Sequence, residues 1–455
     1  MSDGQEVSAL ATFREFFALR RDVFVLSVAM FAFSLGFQMT SRYLPRYMSV
    51  LGAGAAAIGL YGSFGNLIAA VYPYPGGAFS DRVGSRTALT AFGLLSTLGF
   101  AVWLVAPAFG AVTVGTTLPL GPLAGVTVGP VTLPDAFAFG PTDLPVGVFL
   151  GLLLAQAWKS LGLGATFAVV KQSVPESDLA TGFASTETFR RVAFLLGPLV
   201  AAGLFAATDA FLVGFRYVLG VALAFAAFAT VAQRLLYDPE GDSLGKQFTG
   251  VSRFVADLRS LPPTLRPLLV GDTLVRFANG MVYVFFVIVV TEFLAVDLTV
   301  FGRYLGPDAL FGVLLAVEMV VALLVMVPSA KAARRFGLKP VVAAGFLVYA
   351  VFPVLLISAP ADPLVVGVLF AVSGLRFAGL PAHKALIVGP AEANAGGRVT
   401  GAYYLLRNVV TIPSAVVGGW LYAVSPTLAF TVATVVGLAG TAYFLAFGRE
   451  FEAYR

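Results

Sequence analysis

The chain has no cysteine and a single histidine, and Asp, Glu, Lys and Arg together make up only 12% of its 455 residues. Without cysteine there is no structural disulfide, no thiolate-bound zinc and no thiol nucleophile. The lone His383 has no ligand cluster around it in sequence, and neither H-E-x-x-H nor G-x-S-x-G occurs. Metal and hydrolase chemistry therefore lack their residues. A phosphate-cradling G-x-x-x-x-G-K-[ST] is also missing, so ATP is not the energy source within this chain. The string Gly52-Ala53-Gly54-Ala55-Ala56-Ala57 mimics a dinucleotide fingerprint but follows no strand. No enzyme activity, metal or cofactor is expected.

Charge is scarce in a second sense. A soluble domain averages about 25% charged residues, so this chain could not build a water-facing surface of its size. The pI near 9.4 and formal charge of +5 come with no Lys/Arg-rich tract, which argues against nucleic acid. What fills the space is apolar: 58% of residues, with a mean hydropathy of +0.90.

Crossing a hydrocarbon core takes roughly 20 helical residues. Runs of that length lie near 23–47, 55–76, 87–106, 146–171, 181–207, 212–233, 267–293, 309–329, 340–359, 363–389, 399–424 and 426–447. They predict an all-α membrane protein with twelve transmembrane helices. Barrel strands would instead alternate over about ten residues. Basic residues stay in the cytoplasm. Placing the amino terminus inside puts nineteen Lys and Arg on that side and four, Arg42, Arg46, Arg216 and Arg303, outside. This orientation predicts a cytoplasmic-membrane protein with both termini cytoplasmic, anchored by its first run rather than led by a cleaved signal.

The chain repeats itself. An offset of 215 pairs Gly164 with Gly379, Pro175 with Pro390, Gly182 with Gly397, Pro198 with Pro413 and Gly203 with Gly418. Earlier in each half an offset of 253 pairs Pro75 with Pro328, Arg82 with Arg335, Gly84 with Gly337 and Pro107 with Pro360. The difference is an insertion of 38 residues after Pro107. The reading is two pseudo-symmetric six-helix bundles, 1–233 and 267–455. The insertion, 107–144, carries Val112-Thr113-Val114-Gly115 and Val126-Thr127-Val128-Gly129, alternations that predict an outer hairpin. A cap over the pore is one reading of it, and a loop expansion without function is favoured. The linker 234–266 holds nine charged residues, and Val251, Phe254, Val255, Leu258 and Leu261 at helical spacing predict an amphipathic helix on the inner membrane surface.

Between the second and third runs stands Gly77-Ala78-Phe79-Ser80-Asp81-Arg82-Val83-Gly84-Ser85-Arg86. This resembles the signature loop of the major facilitator superfamily, departing from it only at Ser85. Its second copy, Lys331-Ala332-Ala333-Arg334-Arg335-Phe336-Gly337-Leu338-Lys339, has Arg334 in place of the Asp, so the acidic role is expected to be absent there. A Gly at a helix end lets a neighbouring backbone approach, and an Asp before the next helix can cap it or face another helix's positive end. The resemblance implies that Gly77, Asp81, Arg82, Gly84 and Arg86 latch the two halves in the outward-open state. It further implies a secondary transporter with a cavity lined by helices one, four, seven and ten. In the fourth run Lys159-Ser160-Leu161-Gly162-Leu163-Gly164-Ala165 is similar to the superfamily's helix-four motif, with Lys in place of Arg. Gly197-Pro198-Leu199-Val200-Ala201-Ala202 is similar to the exporters' helix-five motif.

An ionised group at the centre of a membrane helix costs roughly 2.5–3.5 kcal/mol, so each needs a partner, water or a solute. Glu187 with Arg191, and Asp272 with Arg276, lie four apart and read as self-neutralised pairs. That leaves Lys159, Arg190, Arg376 and Arg407 against Glu318. Lys159, Glu318 and Arg376 count to near the midplane, where transporters bind their solutes. The resemblance has Lys159 and Arg376 facing each other across the cavity.

Two readings stand at this point. A basic surplus attracts an organic anion, with Lys159, Glu318, Arg376 and Arg407 as substrate and coupling residues; or Glu318 bridges Arg376 or Lys159 as a gate. Glu318 is also the candidate proton carrier, unless an Arg compensates it. Gln38, Asn66, Gln156, Asn279, Tyr283, Tyr403 and Asn408 are further polar candidates. The expected partners are a small-molecule solute, protons as coupling ion and membrane lipid, but not nucleic acid, and the chain is expected to act as a monomer. A hydrophobic drug/proton antiporter is the alternative within transport. Outside transport, the alternative is a membrane sensor or intramembrane enzyme on the same scaffold.

Overall fold

A run of apolar residues taken out of water can satisfy its backbone N–H and C=O groups within its own segment only as a helix. The computed structural model describes residues 21–119, 127–128, 131–132, 136–173, 179–238, 262–389 and 396–450. Eleven of the runs form helices long and apolar enough to cross a membrane: α1 (Arg21–Val50), α2 (Ala55–Val83), α3 (Ser85–Leu104), α4 (Val146–Ser173), α5 (Leu179–Ala206), α6 (Phe211–Leu236), α7 (Pro263–Phe293), α8 (Pro307–Phe336), α9 (Leu338–Ile357), α10 (Pro363–Ile387) and α12 (Pro426–Phe447). The twelfth, α11, comes as Gly396–Thr411 and Ser414–Val424, divided at Pro413. The linker's expected amphipathic helix lies outside the described residues.

The helices pack as two six-helix bundles built alike. In the first, α1 packs on α5 and α6, α3 on α4 and α6, and α2 on α4; in the second, α7 packs on α11 and α12, α9 on α10 and α12, and α8 on α10. Between the bundles, α2 lies against α11 and α5 against α8, forming the seam. Outward-facing Leu324, Leu364 and Phe228 are exposed, as a surface meeting lipid requires.

Two chain reversals fall at equivalent places. Gly84, between α2 and α3, and Gly337, between α8 and α9, have φ of +84° and +92°, a region closed to side chains with a Cβ. This is the backbone reason for the repeated glycine in the two signature loops. On the opposite face, β1 (Ala111–Pro119) pairs antiparallel with β4 (Ala136–Pro145), with β2 (Thr127–Val128) on β3 (Val131–Thr132) between them. A second hairpin joins α7 to α8, with β5 (Leu298–Val300) on β6 (Arg303–Leu305). These strands mark a hairpin face; the ends of α1 and α12 mark a termini face.

Continuity separates the helices. Helices α3, α5, α6, α8, α9 and α12 run unbroken, whereas α1, α2, α4, α7, α10 and α11 are interrupted. In α1, Pro45 lacks an N–H and its ring crowds the preceding turn, so the helix stops at Thr40 and restarts at Leu44. In α4 a π-helical turn spans Ala157–Leu161, and in α10 a 3-10 turn spans Leu375–Phe377. Helix α7 has a 3-10 turn at Tyr283–Phe285.

Candidate functional site

The interruptions place the charges. Lys159 sits in the π-helical turn of α4, a backbone form found often at functional sites. Its side chain is exposed to solvent although protein surrounds it, as in a water-filled cavity. Its ammonium stands 5.8 Å over the Phe37 ring, and Arg190 and Arg42 are the charges that act on it. Arg42 occupies the gap in α1, its guanidinium 4.1 Å over the Tyr283 ring of α7, within electrostatic reach of Glu318 and Arg376. Neither Lys159 nor Arg42 has a carboxylate within ion-pair distance among the described residues.

Arg42 is the residue that sequence reasoning missed. Counted as an outer-loop arginine, it instead lies inside the α1 span, at the seam. Pro45, three residues on, is the signal that could have found it, since a proline there breaks the helix before the run ends.

The other membrane cations are compensated, against the expectation of a free basic surplus. Arg376 is buried and bonds Glu318, also buried, while Ser373 Oγ donates to Glu318 at 3.3 Å. The pair joins α8 to α10 inside one bundle. This is the Glu318–Arg376 bridge of the second reading, and Arg376 is not a bare charge facing Lys159. Arg190 Nη2 and Arg191 Nη2 share Glu187 at 2.7 and 3.3 Å, so Arg190 is paired as well.

Asp272 is no simple two-residue pair. Fully buried, it receives Arg276 Nε at 3.3 Å, Arg407 Nη1 at 3.2 Å, His383 Nε2 at 3.2 Å and the Tyr403 hydroxyl at 3.1 Å. Arg407 is thus also answered, and it donates in addition to Asn408 Oδ1. Arg276 reaches on to the Tyr349 hydroxyl at 3.0 Å, and both Arg276 and Arg376 lie over the Tyr349 ring. His383 is therefore part of a buried network.

The seam is closed on the hairpin face. Arg46 of α1 bonds Glu292 of α7 and lies 3.5 Å from Asp308 of α8; Ser49 Oγ donates to Glu292 at 2.7 Å, and the Tyr43 hydroxyl to Asp308 O at 3.0 Å. Nearby, Gly59 of α2 meets the Ala415 carbonyl of α11 so closely that a Cβ would overlap it. Arg46, counted as an outer-loop base like Arg42, holds the two bundles together.

On the termini face the signature loop departs from expectation in two ways. The close backbone approach is at Gly76, where a Cβ would overlap Leu161 O of α4; at Gly77 the space is open. Asp81 has no hydrogen-bond or ion-pair partner among the described residues, while Arg82 is exposed and Arg86 donates to Arg234 O at 2.9 Å. In the second copy the missing carboxylate comes from elsewhere: Glu450, beyond α12, accepts from Leu338 N and Lys339 N, both at 2.9 Å, capping α9.

No protein-family profile matches this chain, and no curated protein sequence matches it. Solved structures do. The nucleoside transporter NupG superposes with a TM-score of 0.65 at 13% identity, over 93% of this chain and 98% of that one. A POT family transporter in complex with 5-aminolevulinic acid gives 0.68 at 14%, over 94% and 96%. A peptide transporter POT in complex with sulfate gives 0.66 at 14%, over 94% and 95%. Likeness at this identity speaks for architecture. It agrees with the signature-loop residues and the twelve-helix layout: the chain has the fold of the major facilitator superfamily transporters.

Proposed function

We propose that this protein is a secondary transporter that carries a small organic anion across the cytoplasmic membrane by alternating access of its seam to the two faces. One observation carries the substrate class: Arg42 and Lys159, on α1 and α4, stand at the seam with no carboxylate within ion-pair distance among the described residues, Glu318 acting on Arg42 only from further off. Two charges at membrane depth require water or a solute, and a carboxylate or phosphate ester supplies what the protein withholds. Phe37 and Tyr283 flank the two cations with aromatic surface, and Gln156, one turn before Lys159, holds a buried Oε1 without a hydrogen-bond partner. Similar folds hold sulfate and 5-aminolevulinic acid, which supports the anion reading by analogy of fold.

With both termini read as cytoplasmic, closure of the hairpin face makes this an outward-closed state. A latch that acts in the outward-open state is then released, in keeping with Asp81 having no partner among the described residues. Purified protein in proteoliposomes, offered a panel of carboxylates, phosphate esters and neutral lipophiles, tests the reading. Gradient-driven movement of anions, weakened by Lys159→Gln and by Arg42→Gln, is expected. Movement of neutral lipophiles with both substitutions silent would replace it with the drug exporter, and no movement of any solute would end it. Arg376→Gln is a poor discriminator, because it strands Glu318 in the bundle interior.

A further inference from the structure

The Asp272 network contains something the transport reading leaves unused: the chain's one histidine, buried, with its Nε2 3.2 Å from a carboxylate oxygen. Three donors contend for that single oxygen, Oδ2. They are Arg407 Nη1 at 3.2 Å and the Tyr403 hydroxyl at 3.1 Å, both from α11, and His383 Nε2 from α10. The other oxygen, Oδ1, takes Arg276 from α7 itself. Three donors exceed what one carboxylate oxygen accepts with good geometry, so whichever gains strength displaces another.

Imidazole is the side chain that changes charge near neutral pH. A proton taken from water onto the ring adds a positive charge to the donor of its contact with the Asp272 carboxylate and so makes that contact an ion pair. It also sets a third positive charge beside Arg276 and Arg407. Arg276 is held a second time by Tyr349 of α9. The Tyr403 hydroxyl can turn to Leu268 O at 3.3 Å, and of the two arginines Arg407 is the more readily displaced: it is part-exposed, its Asn408 partner travels with it on α11, and Lys384 adds further positive charge next to His383 on α10.

Helix α11 connects this event to the seam. Beyond the break at Pro413 its second part packs on α2 of the other bundle, where Val416 N donates to Ser63 Oγ at 3.0 Å and Ala415 meets Gly59. We propose that Asp272 and His383 form a proton site whose loading frees Arg407 from Asp272 and, through α11, loosens closure of the hairpin face. The site would bind the coupling proton in place of Glu318, whose charge Arg376 already answers. Its consequence for flux rests on the transporter reading, but the proton site and its effect on closure do not.

Both can be measured without a solute. With one histidine in the chain, protein labelled on histidine and placed in lipid nanodiscs gives a single imidazole NMR signal. The signal should respond to pH as the ring takes up a proton, and Arg407→Gln, which removes a neighbouring guanidinium from Asp272, should change that response. An imidazole in one protonation state throughout, or a response unchanged by Arg407→Gln, overturns the proton site. Because the chain has no cysteine, spin labels at Val50→Cys and Thr299→Cys read closure of the hairpin face. The longer-distance population should grow several-fold from pH 8 to 5.5, and His383→Gln should abolish that response. Distances independent of pH, or an unchanged response in His383→Gln, overturn the coupling. Arg407→Gln keeps the histidine in place and so decides the matter even if His383→Gln does not fold.

Discussion

The two bundles share a topology but treat charge differently. In the second, the buried ions among the described residues are answered from within: Glu318 by Arg376, and Asp272 by Arg276, Arg407 and His383. In the first, Lys159 and Arg42 stand in the seam with aromatic neighbours and no carboxylate at ion-pair distance among the described residues. Duplicating a fold does not duplicate its electrostatics. One bundle pairs these ions internally, and the other leaves two cations without an ion-pair partner among the described residues.

The largest effect should come from breaking the self-neutralised half. Glu318→Gln leaves Arg376 buried and uncompensated, at a cost of about 3–5 kcal/mol, and should appear as a large loss of thermal stability in detergent. Replacing both members, Glu318→Gln with Arg376→Met, should recover most of the loss, because an apolar pair strands no charge. If the single and double substitutions destabilise equally, the pair does not carry its own compensation, and the contrast between bundles weakens.

The opposite signature is expected in the first bundle. Lys159→Gln and Arg42→Gln should leave unfolding within about 1 kcal/mol of the parent while weakening uptake of an anionic solute at least roughly tenfold each, the equivalent of about 1.4 kcal/mol. Flux against solute concentration and a melting curve on the same preparations separate the two. A variant that loses stability rather than affinity would place its cation among the structural ones.

How far such a contrast was legible beforehand depends on the distance over which the signal travels. Helix positions were legible because an apolar run of twenty residues has one fate in lipid, and the α3–α4 hairpin because β-branched alternation between Gly and Pro breakers has few others. Asp272 with Arg276 was visible because four residues span one helical turn. Arg407, 135 residues from Asp272, and Glu450, 112 from Leu338, were not. No local pattern encodes a tertiary partner, so Arg376 and Arg407 read as free bases; Arg190 read as free because Glu187, three residues before it, was already assigned to Arg191. Arg42 failed for another reason: it lies near the outer end of the 23–47 run, where a base reads as loop, and the helix break before Pro45 that sets it at the seam is a backbone effect that hydropathy does not register.

The seam offers a smaller test. Arg46 ties the first bundle to Glu292 and Asp308 of the second, with all three side chains partly exposed. Partial exposure limits the tie to about 1 kcal/mol, which is still a several-fold shift in a two-state population. Arg46→Gln should therefore enlarge the longer-distance population of labels at Val50→Cys and Thr299→Cys at fixed pH. An unchanged distribution would mean that backbone packing at Gly59 and Ala415, rather than the ionic contact, closes this face.

The smallest effect returns to the two signature loops. In the first, Asp81 is where a helix-capping carboxylate is expected, and it caps nothing. In the second, Arg334 stands at the corresponding place, yet Glu450 reaches back from beyond α12 to accept from the first two N–H groups of α9. A carboxylate on two orphan donors at the positive end of a helix contributes about 0.5–1 kcal/mol. Glu450→Gln should lower the melting temperature modestly, whereas Asp81→Asn should leave it unchanged in this state, since nothing there is lost. If Asp81 serves the other state, its substitution appears in the spin-label distances instead, as a further gain of the hairpin-closed population. Equal melting losses for both variants would remove the asymmetry between the loops. A silent Glu450→Gln with a destabilising Asp81→Asn would invert it, and make the first loop the one that fastens its bundle.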